Sequence, residues 1–286
     1  MPTHSAPLLL ASLQNQRIKD VIKLNKRAAR DQRRVTVVEG WREATRALAA
    51  GIVPVEAFLC ADLLGENFAP VLHQIYASGI QPASVFNTTP AVFAKLAYRG
   101  ESGGILLVVP YFSRRLTELH LTATPLLLVI EGAEKPGNLG AILRTADAVG
   151  VDAVILVENT HDDATDLHNP NTIRAALGAT FTVPVAAASA TATREFLNAH
   201  AVRTVATTPD ATVTYWDADL RGPLAILLGS EAHGLSDPWL ATAHVQVQMP
   251  MHGAMDSLNL ATATAVMLYE SLRQRSRPTL PPPDPT

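Results

Sequence analysis

Met249-Pro250-Met251-His252-Gly253-Ala254-Met255-Asp256-Ser257-Leu258-Asn259-Leu260-Ala261 joins two unlike segments. Before it, Val245 to Met249 is an apolar run with β character that stops at Pro250. After it, an Ala-rich amphipathic pattern starts at Ser257 and runs to Leu272. The order is strand, loop, helix, with Asp256 or Ser257 as the expected N-cap. Such a junction presents free backbone N–H groups and a Ser257–Asn259 pair at one edge of a sheet. Open α/β sheets bind their ligands at edges of this kind.

Two earlier stretches repeat the construction. Leu126 to Ile130 leads into Glu131-Gly132-Ala133-Glu134-Lys135-Pro136-Gly137-Asn138-Leu139-Gly140 and then a helix. Leu224 to Leu228 leads into Gly229-Ser230-Glu231-Ala232-His233-Gly234-Leu235-Ser236. Three polar, Gly-containing loops after three buried strands predict one shared pocket. The surrounding elements alternate: strand 126–130, helix 138–149, strand 153–157, helices 171–177 and 190–199, strands 202–206, 224–228 and 244–249, and helix 257–272. Alternation of this kind implies a mostly parallel sheet covered by helices. The glycines lack the spacing of a dinucleotide fingerprint, and no Gly-Lys-Ser/Thr follows them, which argues against a nucleotide-dependent oxidoreductase.

The residues Asn138-x-Gly-x-x-x-Arg144-x-Ala146, then Gly229-x-Glu231-x-x-Gly234-Leu235, then Pro250-Met251-x-Gly253-x-x-x-Ser257-Leu258-Asn259 resemble the three ordered motifs of the SpoU/TrmH group. That group belongs to the SPOUT superfamily of RNA 2′-O-ribose methyltransferases. The resemblance implies a SPOUT-type α/β fold with a C-terminal trefoil knot, S-adenosyl-L-methionine as cofactor, and a homodimer. Hydrophobic patterning would not suggest a knot, because knotted chains are rare. Carried residue by residue, it implies cofactor contacts at Leu228, Gly229, Met249, Met251 and Leu258, with Thr207 closing over the cofactor. Taken singly, Met249, Met251 and Leu258 read more readily as core packing. The same resemblance assigns the catalytic site to Asn138, Arg144, Glu231, Ser257 and Asn259, and places Arg174, in Asn169-Pro170-Asn171-Thr172-Ile173-Arg174, near a substrate phosphate. Asn138 alone reads as a helix cap. An Arg does not readily lose its proton. Arg144 is therefore expected to hold the target phosphate and ribose, with Glu231 orienting Arg144 or Asn138 through a charge-assisted bond. Ser257 and Asn259 are expected to fix the third loop.

The chain has 286 residues, 48% hydrophobic and 17% charged, which is a core-forming composition. The net charge of −3 hides a basic arm: residues 1–50 hold ten Lys/Arg against four Asp/Glu, about +6 locally. Arg17 to Arg34 reads as one helix with Ile18, Val21, Ile22 and Leu24 on its apolar side. Thr36–Val38, Val53–Leu59, Ala83–Phe86 and Gly104–Val109 read as strands, and Trp41–Ala50 and Phe68–Ala77 as helices. Thr88-Thr89-Pro90 is a helix start. This α/β segment, through the basic helix, Val38-Glu39-Gly40 and Tyr98-Arg99-Gly100-Glu101-Ser102-Gly103-Gly104-Ile105, resembles the L30e-like substrate-binding domain that precedes SpoU catalytic domains. Arg17, Lys26, Arg27 and Arg30 are then candidates for RNA phosphate contacts.

The implied division is an L30e-like domain at 1–112, a linker at 113–124, a SPOUT domain at 125–275 and a disordered Pro-rich tail at 276–286. Cys60 is the single cysteine and reads as a buried hydrophobe. His161-Asp162-Asp163 with Asp166 and His168 suggests a metal cluster, but without fixed helical spacing it reads better as caps and solvated charge, and no metal is expected. No signal segment or membrane-length apolar run is seen, so a cytoplasmic protein is expected. The expected activity is 2′-O-methylation of RNA, with 23S ribosomal RNA favoured over tRNA. A non-catalytic RNA-binding or assembly protein of the same fold is the rival reading.

Overall fold

The computed structural model describes residues 6–97, 103–133, 135–157 and 166–276. Tyr98 to Ser102, Glu134, His161 to Asp163 and the tail from Arg277 lie outside the described residues. The chain divides into two compact units, residues 1–113 with 166–182, and residues 114–165 with 183–286.

The first unit begins with β1 (Leu8–Leu10), α1 (Gln16–Lys23), α2 (Arg27–Arg33), β2 (Val35–Glu39), α3 (Trp41–Ala49), β3 (Glu56–Leu59), the single turn α4 (Ala61–Leu64) and α5 (Phe68–Ala77). It continues with β4 (Val85–Thr88), α6 (Pro90–Leu96) and β5 (Ile105–Pro110). The strands form a five-stranded sheet in the order β1-β4-β3-β5-β2. Residues along β5 alternate between two cores, the periodicity of a strand covered on both faces. Leu106 and Val108 pack with Ile18, Val21, Phe58, Phe86 and Phe93. Ile105, Leu107 and Val109 pack with Ala44, Ala47, Val71 and Ile75.

The single helix expected over Arg17–Arg34 is two. Its break has a specific cause. Arg30, 1% exposed, turns back and donates to the carbonyls of Leu24 (2.9 Å) and Asn25 (3.2 Å). Those carbonyls belong to the end of α1 and would otherwise lack partners. Thr89 caps α6, accepting from the Val92 N–H at 3.4 Å, with Pro90 in the first turn. The strand expected at Ala83–Phe86 starts two residues later, because Pro82–Ser84 forms a 3-10 turn.

In the second unit β6 (Leu126–Glu131) leads to α7 (Pro136–Val149) and β7 (Ala153–Val157). The chain then supplies α8 (Pro170–Ala175) to the first unit. Ile173 enters the first unit's core, Thr36 Oγ1 donates to the His168 carbonyl at 2.5 Å, and Arg46 donates to the Leu177 carbonyl at 2.9 Å. A partition of the chain at one linker does not anticipate this excursion. The second unit resumes with β8 (Val185–Ala188), α9 (Ala190–Ala199), β9 (Arg203–Thr207), β10 (Val213–Thr214), β11 (Leu224–Leu228), α10 (Asp237–Thr242), β12 (Val245–Gln248) and α11 (Leu260–Ser276).

Its strands form a seven-stranded sheet, β10-β12-β9-β11-β6-β7-β8, and every pairing is parallel. The central strands β6, β7 and β11 are buried at nearly every residue, which explains their unbroken apolar runs. α9 and α10 cover one face through Leu197 and Trp239. α7 and α11 pack on each other, and α11 also reaches β11. α11 buries Leu260, Thr264, Met267, Leu268 and Ser271. Tyr269 on the same helix stays 53% exposed, so within one chain the helix is not buried all round.

Candidate active site

The C-terminal ends of β9, β11 and β12 open onto one cleft of about 210 Å³, several times the ~30 Å³ of a water molecule. Its lining includes Thr207, Leu228, Gly229, Met249, Met251 and Leu258, all six positions carried over as cofactor contacts. Ser257, Glu231 and Asp256 also line it. None of the lining residues is Lys or Arg, while two are carboxylates. Such a lining suits a cationic ligand and disfavours a phosphate.

The loop after β11 is built around Gly229. A Cβ there would lie 1.9 Å from the Gly234 carbonyl carbon and 2.1 Å from its oxygen. The loop doubles back at this point: Ser230 N–H donates to Gly234 O at 3.1 Å, and Gly234 N–H to Ser230 O at 3.0 Å. Gly234 itself has φ +65°, the left-handed region that favours glycine. Glu131, buried at the end of β6, clamps the far side of the turn. Its carboxylate accepts from Ser236 N–H (2.7 Å) and Ser236 Oγ (2.8 Å). The clamp could be suspected only from Glu131 ending an apolar strand.

Three loops meet at Glu231. Asn138 Nδ2 donates to Glu231 Oε1 at 2.5 Å and Asn259 Nδ2 donates to the same oxygen at 2.8 Å. Asn259 Nδ2 also donates to Asn138 Oδ1 at 3.2 Å, and Lys135 Nζ pairs with Glu231 Oε2. The Lys135 ammonium, chiefly, holds the Glu231 carboxyl below its ordinary range against the opposing effect of burial. The Asn138 amide and the Leu260 backbone N–H add to the lowering. Lys135 went unnoticed in the sequence because nothing local marks it as a partner of a residue 96 positions away.

Asn138 does not cap α7. Lys135 holds the N-cap position, Pro136 opens the helix, and Asn138 sits inside the first turn with its side chain spent on Glu231 and Asn259. Neither Asp256 nor Ser257 caps α11, which begins at Leu260. Asn259 does so, its Oδ1 accepting from the Ala261 N–H at 3.0 Å. Asn259 therefore uses its oxygen for the helix and its nitrogen for the loops. Arg144 is exposed on α7 and has no hydrogen-bond or ion-pair partner among the described residues. Glu231 serves Asn138, not Arg144. Ser257 is exposed at the cleft. Thr207 Oγ1 donates to the Leu227 carbonyl at 3.1 Å, tying β9 to β11 at the cleft floor.

The basic residues of the first unit differ sharply in availability. Arg30 is overturned as a phosphate contact, because it is buried, bonded to the end of α1 and paired with Asp166. Arg17 pairs with Glu56 and lies over the Phe86 ring at 4.7 Å. Arg27 faces Asp31 at 3.5 Å. Lys26 is exposed at the start of α2. Arg174, in α8, donates to Asn171 Oδ1 at 2.5 Å. Of the suspected metal cluster, Asp166 is taken by Arg30. His168 is stacked on Tyr111 at 3.6 Å and accepts from the Phe112 N–H at 3.1 Å.

Comparison with known proteins covers both units. Residues 125–269 match the model of the SpoU rRNA methylase family, and residues 15–107 match that of the MRM3-like substrate binding domain. An uncharacterised tRNA/rRNA methyltransferase of Synechocystis sp. is 31% identical over 93% of this chain and 94% of its own. The 23S rRNA (guanosine-2′-O-)-methyltransferase RlmB of Vibrio parahaemolyticus is 32% identical over 77% of this chain and 89% of its own. Among solved structures, the AdoMet-bound rRNA methyltransferase of Sinorhizobium meliloti superposes with a TM-score of 0.84 at 28% identity, covering 93% of this chain and 97% of that one. An RNA 2′-O ribose methyltransferase structure superposes at 0.76 with 38% identity, covering 93% and 99%. The matched region contains every loop of the cleft and the Asn138–Glu231–Asn259 junction, and the chain belongs to the SpoU rRNA methylase family.

Proposed function

We propose that the protein transfers a methyl group from S-adenosyl-L-methionine to a ribose 2′-hydroxyl of ribosomal RNA, in the 23S molecule. The observation that carries this reading is the cleft itself: it lies against the junction of three loops, with Asp256 and the Lys135-paired Glu231 in its lining and no Lys or Arg among the described lining residues. The cofactor, when bound, supplies an activated methyl group on a sulfonium. Leu228, Val247, Met249, Leu258 and Leu260 offer an apolar wall for an adenine ring, and Asp256 offers negative charge to a cationic ligand, the Glu231 charge being met by Lys135. Gly229 lets backbone approach where a side chain would block it. Positioning of the two reactants supplies much of the barrier reduction in a displacement of this kind.

Asn138, Glu231 and Asn259 hold the loops in register, and Ser257 faces the ligand from the third loop. Arg144 binds the target phosphate and ribose. Its guanidinium keeps its proton, so a phosphate oxygen or water receives the proton of the 2′-hydroxyl. Lys26, Arg27 and Arg17 of the first unit contribute phosphate contacts, which position RNA without reading its sequence. Arg174 contributes another.

The protein acts as a homodimer. Met255 (72% exposed) and Tyr269 (53% exposed) lie on the cleft loop and on α11, and Trp216 is 49% exposed, a set of apolar groups that a second copy would cover. The path from β12 back to α11, which packs on α7 and β11, supports the trefoil knot of the family. No helix among the described residues is long and apolar enough to cross a membrane, and a cytoplasmic location fits action on ribosomal RNA.

The test is mapping of 2′-O-methyl groups in RNA from cells with and without the gene, followed by transfer of labelled methyl to the same RNA in vitro. One 23S nucleotide should lose and regain its methyl group. Labelling of tRNA in its place would overturn the substrate, and labelling of no RNA would overturn the activity.

A further inference from the structure

Lys135 occupies the N-cap position of α7 but makes no side-chain capping bond there. Its ammonium instead reaches Glu231 Oε2, on the side opposite the two amides that share Oε1. An ionised carboxylate only accepts hydrogen bonds, at about four lone-pair sites. The partners of Glu231 are all donors: the Lys135 ammonium, the Asn138 and Asn259 amides and the Leu260 backbone N–H. A protonated Glu231 would place an O–H where one of those donors now points, and the loops would separate there. Two of the donors, Lys135 and Asn138, lie where the loop after β6 enters α7, and two, Asn259 and Leu260, where the third loop enters α11. The acceptor belongs to the loop after β11. The register of all three therefore depends on one negative charge, and Lys135 supplies the opposing positive one.

The Lys135 side chain is 68% exposed, and exposed pairs of this kind add little to overall stability. Its value lies at the junction. Resting on the methyl-transfer reading above, we infer that Lys135 is a positioning residue, which holds Glu231 in its ionised, four-donor state and so fixes Asn138 and Asn259 against the cleft.

Lys135→Met and Lys135→Arg are compared with the parent protein between about pH 3 and 8, a range that spans the ordinary Glu value of about 4.3 and the lowered one of Glu231. Three quantities are read: the titration of Glu231 by carbon-13 NMR of Glu-labelled protein, the thermal midpoint, and single-turnover methyl transfer to ribosomal RNA. In Lys135→Met the Glu231 titration and the acid limb of the transfer rate move to higher pH. Transfer at the acid end falls by about tenfold, the effect of losing one charge-assisted hydrogen bond. The thermal midpoint is unchanged, and Lys135→Arg returns both curves toward the parent. An unchanged Glu231 titration in Lys135→Met overturns the inference, as does a rate profile that superimposes on the parent's. A parent protein that methylates no RNA defeats the methyl-transfer reading instead, and the NMR titration then decides the role of Lys135 by itself.

Discussion

The side-chain amide of Asn259 donates to the side-chain oxygen of Asn138 at 3.2 Å, across 121 positions of sequence. Both amides also share one oxygen of Glu231. Groups in one network do not contribute independently. The losses of methyl transfer in Asn138→Ala and Asn259→Ala should therefore fall short of additivity in the double variant by ~0.5–3 kcal/mol. Single-turnover rates of the four proteins measure this, and strict additivity would show that the contact does nothing for the reaction.

Arg144→Ala should reduce methyl transfer by at least about a hundredfold, the scale of a lost transition-state charge contact. Cofactor affinity should stay within a few-fold, because Arg144 is not among the residues lining the cleft. Folding should be unaffected, since the side chain is exposed and without partners among the described residues. Calorimetric cofactor binding beside the transfer rate separates the two effects. Unchanged transfer would remove Arg144 from the mechanism.

Gly229→Ala should damage the cleft itself. The new methyl group would lie 1.9 Å from the Gly234 carbonyl carbon, and that neighbour is backbone that cannot swing aside. The turn must open and shift Glu231 two residues away. Cofactor affinity is expected to fall by at least about tenfold, with a modest loss of stability of ~1–3 kcal/mol. Gly253→Ala is the control, since a Cβ there meets nothing within 4 Å.

His168 predicts how the first unit responds to acid. Burial, then the nearby Arg34 and Arg30 charges, push its imidazole down to about 3 from 6.5. Above pH 6.5 the ring is neutral whether the chain is folded or not. Below it, the unfolded chain binds a proton that the folded chain refuses until about pH 3, so stability drains across that window. The slope from this one group approaches ~1.4 kcal/mol per pH unit. Urea unfolding at successive pH values should show it, and His168→Gln, which keeps an acceptor for the Phe112 N–H, should remove it.

Arg30 and Lys26 sit four residues apart and should behave oppositely. Arg30→Met leaves Asp166 without its ion-pair partner and the end of α1 uncapped, at a cost of ~3–5 kcal/mol. Lys26→Ala should leave the melting temperature alone but weaken RNA binding and flatten its salt dependence by about one counterion. Thermal melts and salt-dependent binding distinguish them. A weaker salt slope in a fully stable Arg30→Met protein would reverse the assignment.

Local order was legible in the chain as written. The runs at 126–130, 153–157 and 224–228 announced central strands, because a strand covered on both faces must be apolar throughout. The Gly- and Pro-marked loops after them showed where the cleft would open, since backbone that turns tightly against itself needs Gly229 and Gly234. The tertiary structure alone decided where the charged and amide side chains went. Arg30 looks like its neighbours Lys26 and Arg27 in any helical projection, yet Asp166 and the end of α1 draw it inward. Lys135 reads as the start of a helix until Glu231 is brought over it, and the choice of Asn138 over Arg144 as the partner of Glu231 is made only there. The passage of 166–182 into the first unit likewise depends on Thr36, Arg46 and the core around Ile173. Periodicity and turn chemistry act over a few residues and are written locally. The partner of a long polar side chain is chosen by which distant segment arrives beside it, and only the folded chain supplies that neighbour.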